Sequence, residues 1–322
     1  MQIVLLSAVP EDKIFFEAAA KLANVSFVHV ANADLAVAVL LKDPATIMVV
    51  ESSQMDAFKA FEKVMSEKVG LFSALLNPNN LYYVASQSFH DAPYLAQSEI
   101  FGHFIHRSYT QENIYVMARL FESSGAERAL PLEKYLSKDV KTQTIKITKS
   151  VQKRPIVESL KNYVLKIGFK SRVAAVIATA TDELIMNAVF DAPMDELGKH
   201  VHAQTPRSTA LELDEKNIVE LKIAFDMKTL GISVTDLHGS VDKKKLLSQH
   251  LGRSYENKEY EMKTVVAGAG LGLAHVYRNC GGMIISCEQG NRTEVNLLFK
   301  KTDSFRDFKD QFRFLSTFMY FS

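Results

Sequence analysis

A chain of 322 residues is long enough for two domains with separate cores, and 47% apolar with 23% charged residues is a folded rather than a disordered composition. A net charge of +1 offers no broad field to draw nucleic acid or an anionic lipid surface, and the two cysteines, Cys280 and Cys287, suggest neither a disulfide framework nor a metal cluster. The opening Met1-Gln2-Ile3 has no basic patch before a long apolar core, and apolar runs such as 173–180 are too short for a bilayer, so a cytoplasmic protein without a membrane span is expected.

In chain order, the apolar runs 3–6, 26–30, 47–50, 81–85 and 101–105 read as buried strands. Between them, 13–22, 34–41, 57–64 and 111–121 have helical spacing, and 91–98 fits a further short helix. Strands alternating with helices imply a parallel, doubly wound α/β sheet for residues 1–122. From 123 to 152 the pattern loosens: Glu122-Ser123-Ser124-Gly125 signals a turn, and the basic, Thr-rich stretch 138–153 suits a strand within a linker. The second domain, 153–302, opens with a helix over 157–167 and a long helix over 171–190. A strand pair follows at 218–225 and 231–235, then a lysine-rich span over 241–262. A helix over 271–278 and strands at 283–287 and 293–299 close the domain. The tail, 303–322, is dense in aromatics, with Phe305, Phe308 and Phe312 at helical spacing.

Four segments of the second domain carry chemistry. Glu183 and Asn187 in Asp182-Glu183-Leu184-Ile185-Met186-Asn187-Ala188 are four apart and share a helical face. The carboxylate suits a general base, and the amide oxygen suits Mg²⁺, which takes few protein ligands when phosphates supply the rest. Alone, the pair is an ordinary solvated helix face. In Val234-Thr235-Asp236-Leu237-His238-Gly239, Asp236 ends a strand where it can accept from an adenine amino group, and Gly239 lets the backbone approach; alone it is an Asp-x-x-Gly turn. Gly268, Gly270 and Gly272 in Gly268-Ala269-Gly270-Leu271-Gly272 precede a helix, where backbone N–H groups favour phosphate. Thr293, in Gly290-Asn291-Arg292-Thr293, starts the last strand, where its hydroxyl could reach the adenine side of a pocket; alone it is an ordinary hairpin threonine.

Taken in order, these segments resemble the N, G1 and G2 boxes and the closing Gly-x-Thr-type strand of the GHKL ATP-binding superfamily. The resemblance implies a two-layer α/β sandwich binding ATP and Mg²⁺, with Glu183 catalytic, Asn187 holding the metal, and a lid over 240–266. The lid lysines Lys243, Lys244, Lys245 and Lys263, with Arg253, would approach phosphates, though most suit a solvated face. Glu183 placed four before Asn187 is similar to the anti-sigma-factor serine kinases and to the ATPases of the superfamily, and the compact size of the domain most resembles the former. None of the nine histidines sits in a helical setting for autophosphorylation. One departure stands out: where that group has a basic residue a turn past Asn187, Phe190-Asp191-Ala192-Pro193 supplies an acid and a helix breaker, and a long connection over 194–214 follows.

The first domain resembles a response-regulator receiver, with an unrelated flavodoxin-like domain as the alternative. Glu51 stands at its phosphoacceptor position, a degenerate replacement for Asp, with Ser86 after the fourth strand. Ser7-Ala8 replaces the expected acidic pair. Glu11 and Asp12 come later and suit a helix start, and His106-Arg107 replaces Lys-Pro. The expectation is an ATP-binding signalling regulator: a serine/threonine-type protein kinase or anti-sigma-like protein acting on a protein partner, with a homodimer open. The alternatives are a non-enzymatic ATP-dependent switch and a slow ATPase.

Overall fold

The computed structural model of the chain describes residues 1–69, 77–122 apart from 88, 90, 91, 93 and 99, 129–136, 140–247, 273, 276, 277, 279–310 and 317–322. The chain divides into two compact units, one of Met1–Leu130 with Arg313–Tyr320, the other of Pro131–Phe312 with Phe321–Ser322.

The first unit is built on β1 (Gln2–Leu6), β2 (Ser26–Val30), β3 (Ile47–Glu51), β4 (Leu81–Ala85) and β5 (His103–His106), parallel in the order β2-β1-β3-β4-β5. Ile3, Val4 and Leu5, Ile47 to Val50 and all of β4 are buried, as continuous apolar runs covered on both faces must be. The helices are α1 (Pro10–Leu22), α2 (Ala33–Lys42), α3 (Met55–Val69) and α4 (Gln111–Glu122). Pro10 suits the first turn of α1, where a missing N–H costs nothing, and Asn24 just beyond its end takes a positive φ of 55°. Asn32 caps α2 by accepting from the Leu35 N–H at 3.0 Å. The helix α1 buries Phe15, Phe16, Ala19 and Ala20, and Phe15 stacks on Tyr109 with centroids 4.2 Å apart.

The expected helix over 91–98 is reduced to a 3-10 turn, Leu95–Gln97, with Asp91 and Pro93 outside the described residues. The tail supplies an element that helical spacing did not suggest. The strand β11 (Thr317–Phe321) runs antiparallel to β5, with Thr317 opposite Phe104. The Met319 N–H donates to His103 Nδ1 at 3.1 Å, so the His103 proton lies on Nε2, which donates to the Asn79 carbonyl at 2.8 Å.

The second unit holds β6 (Thr142–Ile147), β7 (Val219–Phe225), β8 (Thr229–Asp236), β9 (Gly282–Glu288) and β10 (Arg292–Lys300), antiparallel in the order β9-β10-β8-β7-β6. The Thr-rich stretch thus enters this sheet as β6, paired with β7, so residues 142–147 of the expected linker belong to the unit's fold. A 3-10 turn, Leu132–Tyr135, covers the sheet at Gly231, where a Cβ would stand 2.8 Å from Leu132 Cδ1. The helices α5 (Lys153–Lys166) and α6 (Ser171–Met186) pack together, and α6 rests on β8. After Met186 the helix widens into a π turn, Asn187–Asp191. Over Ser171–Asp191 it is long and apolar enough to cross a membrane by length and composition, yet Val173, Ala174, Ile177 and Ile185 are core residues. A short α7 (Lys243–Lys245) and α8 (Phe305–Asp310) also belong to this unit, with Phe305 under Arg172 at 4.0 Å; of the expected helix over 271–278, the described residues 273, 276 and 277 are helical. Phe312 lies outside the described residues.

Candidate functional site

The residues expected to hold the adenine converge. Asp236 ends β8 and Thr293 begins β10, and the antiparallel register sets them directly opposite each other. Both are buried. Asp236 Oδ1 accepts the His238 N–H at 2.9 Å, and the carboxylate also takes bonds from the Gly239 N–H and the Thr293 hydroxyl. A carboxylate has about four acceptor positions, so capacity remains for one more donor. Burial pushes the Asp236 carboxyl up to about 6 against these bonds.

Gly239 is fixed by space as well as by conformation. Its φ is +57°, and a Cβ there would lie 1.9 Å from the Glu288 carbonyl oxygen and 2.8 Å from the Asn291 and Gly290 nitrogens. Only glycine lets the turn after Asp236 press onto the β9–β10 turn. Beside it, His238 Nε2 donates to Asn217 Oδ1 at 2.9 Å, and burial pulls the imidazole below its ordinary range. Cys287, opposite Thr293 on β9, lies against the same threonine, its Sγ 3.9 Å from the hydroxyl; burial pushes its thiol up.

Glu183 lies in the last turn of α6, and Asn187 begins the π turn, which contacts β8. Glu183 is partly buried, and burial raises its carboxyl; Arg207 opposes that rise, while Asp191 and Asp182 add to it. The Asn187 carbonyl accepts the Ala192 N–H at 2.8 Å, and its side-chain amide makes no hydrogen bond among the described residues. The acid a turn past Asn187 is answered from the long connection. Arg207 donates from Nη2 to both oxygens of Asp191, at 2.9 and 2.8 Å, and from Nη1 to the Met186 carbonyl at 3.0 Å. Its guanidinium lies 5.3 Å from the Phe190 ring centroid. Sequence reading missed Arg207 because the only signal was the unusual length of the connection that carries it.

Gly268, Gly270 and Gly272, and the lid residues Arg253 and Lys263, lie outside the described residues. Of the lid lysines, Lys244 and Lys245 are exposed as a solvated face would be. Lys243 is partly buried, 5.6 Å from the Phe321 ring centroid, and desolvation pulls its ammonium down to about 8.

In the first unit, Glu51 ends β3 and accepts the Ser53 N–H at 3.0 Å and Arg107 Nη2 at 3.3 Å. Asp12 begins α1, as its sequence position suggested, but its side chain is fully buried and turned toward Arg107, with Nε at 2.7 Å and Nη2 at 2.9 Å. Ser86 Oγ accepts Arg107 Nη1 at 2.5 Å.

No protein-family model matches the chain, and no curated protein matches it. Solved structures do match, among them the SiaB-SiaC complex from Pseudomonas aeruginosa, 14% identical over 59% of this chain and 99% of that one, with a TM-score of 0.31.

Proposed function

We propose that the second unit binds ATP with Mg²⁺ in a site of the GHKL kind, and that the chain is a signalling regulator acting on a partner protein. The observation that carries this reading is Asp236, a buried carboxylate with acceptor capacity to spare, set opposite Thr293 and backed by the turn at Gly239. A buried carboxylate that keeps an open acceptor position is costly in a merely structural role, and an exocyclic amino donor satisfies it. Asn187, whose side-chain amide has no hydrogen-bond partner among the described residues, fits the sparse protein ligation of Mg²⁺, and Glu183 four residues earlier fits a general base. When bound, the metal neutralises phosphate charge; the chain's own residues orient the nucleotide and remove a proton from the acceptor. Receiver-like docking by the first unit, with Glu51 at the degenerate acceptor position, belongs to the same reading.

The test is calorimetry with ATP and Mg²⁺ on the wild type and three variants, with phosphate release or transfer measured beside it. Asp236→Ala should bind ATP more weakly by about 1.5–3 kcal/mol. Asn187→Ala should lose the Mg²⁺ dependence of binding. Glu183→Gln should keep ATP and lose turnover by roughly 10²–10⁴-fold if the chain transfers phosphate. Unchanged affinity in Asp236→Ala removes the nucleotide site. Tight ATP binding without turnover in the wild type leaves a conformational switch in place of a kinase.

A further inference from the structure

In the first unit, side chains from four strand ends and a helix start meet at the C-terminal edge of the sheet: Ser7, Asp12, Glu51, Ser86 and Arg107. The strand order reverses between β1 and β3, and parallel sheets of this type seat their ligands at the carboxyl ends beside such a reversal. Here a guanidinium from the chain itself lies there, and its hydrogen bonding is complete. Arg107 Nε and Nη2 grip the two oxygens of Asp12, Nη2 also reaches Glu51, and Nη1 reaches Ser86 at 2.5 Å and Ser53 at 3.4 Å. That engages the five N–H donors of the group.

Asp12 is equally full. Beyond its two bonds from Arg107 it accepts from Ser7 Oγ at 2.6 Å and from the Tyr109 hydroxyl, which uses the roughly four acceptor positions of a carboxylate. Tyr109 is in turn held flat against Phe15, and its hydroxyl is pushed well above the ordinary phenol range by burial and by Asp12. A metal ion could enter only by displacing the guanidinium from a carboxylate that is 0% exposed.

We propose that Arg107 is a built-in cation that closes this edge of the first unit to metal ions and phosphoryl donors, fixing the unit in one state. The closure rests on geometry that is independent of the nucleotide reading of the second unit. It is tested on the full chain by following the Arg107 Nε–H signal in nitrogen-15 NMR, with excess Mn²⁺, and separately with Mg²⁺ and acetyl phosphate. The signal should persist unbroadened and unshifted, and intact mass should show no phosphate added to the first unit. Broadening by Mn²⁺, or a stable phosphate on Glu51, overturns the closure.

Arg107→Ala should lower the melting temperature by about 6–10 °C, because a buried carboxylate loses its partner. Millimolar methylguanidinium, and not methylammonium, should restore part of that loss; no selective recovery counts against a guanidinium site. Should Arg107→Ala fail to fold, the pair Asp12→Asn with Arg107→Leu removes charge and cation together. Recovery of folding by that pair supports the closure, and a pair as defective as the single variant refutes it.

Discussion

At the scale of single residues, Asp236 ties the proposed site to a measurable pH dependence. Burial lifts its folded carboxyl from 3.8 to about 6, so between those values the folded protein holds a proton that the unfolded chain has released. The stabilising contribution is therefore full below the unfolded value and is lost as pH rises through about 6, on the order of 3 kcal/mol in all. Asp236→Asn removes the titration. Melting temperatures of the variant should gain on the wild type as pH rises from about 4 to 7, and parallel curves would show that the group is not desolvated as the structure has it. The residue was legible in the sequence through its strand-end position and nearby glycine. The burial that tunes it was not, because it depends on Thr293, brought opposite by a register of pairing that no local pattern specifies.

Among elements, the π turn Asn187–Asp191 shows how a departure in sequence is repaired by tertiary structure. Such turns are rare and costly, and they persist where other contacts hold them. Asp191 and Pro193 read locally as an acid and a breaker ending a helix. The helix does end there, at Asp191, one residue past the expected 190, and Arg207, sixteen residues further on, clamps that end. The clamp is bidentate and shared with the Met186 carbonyl, better placed than an ordinary surface pair. Arg207→Met should cost about 1–3 kcal/mol, and hydrogen exchange at the Ala192 amide, which closes the turn, should quicken with it. Adding Asp191→Asn to that variant should cost little more, since both changes remove one interaction. Full additivity would show that the two residues act separately. Long-range partners explain the other misreadings too. Asp12 sits 95 residues from Arg107, so its role in the first unit was invisible beside the plain signal of an acid at a helix start. The central strands β1, β3 and β4, by contrast, announced themselves as apolar runs, whereas β2, also expected to be buried, is an edge strand with only Val30 buried.

On the scale of the whole molecule, the first unit is discontinuous in sequence, since residues 131–312 intervene before the chain returns to it as β11. The spacing of Phe305, Phe308 and Phe312 in the tail pointed to a helix. That held for Phe305 and Phe308 in α8, but further on Thr317 pairs with Phe104 of β5 and the Met319 N–H reaches His103 Nδ1 across 216 positions of sequence. Phe318 and Met319 are fully buried, and the Phe318 ring lies 4.8 Å from the His103 centroid and 5.9 Å from that of Tyr82. Truncating one buried Phe to alanine costs about 3–5 kcal/mol, against about 5–15 kcal/mol that holds a typical domain folded. Ending the chain at Asp310 removes Phe318 and Met319 together, and leaves His103 Nδ1 without the Met319 donor. The first unit should then become marginal while the second keeps its core. Hydrogen exchange by mass spectrometry should show β4 and β5 losing protection, with α5, α6, β7 and β8 little changed. Full protection of β5 in the shortened chain would mean that β11 is an ornament of the first unit rather than one of its strands.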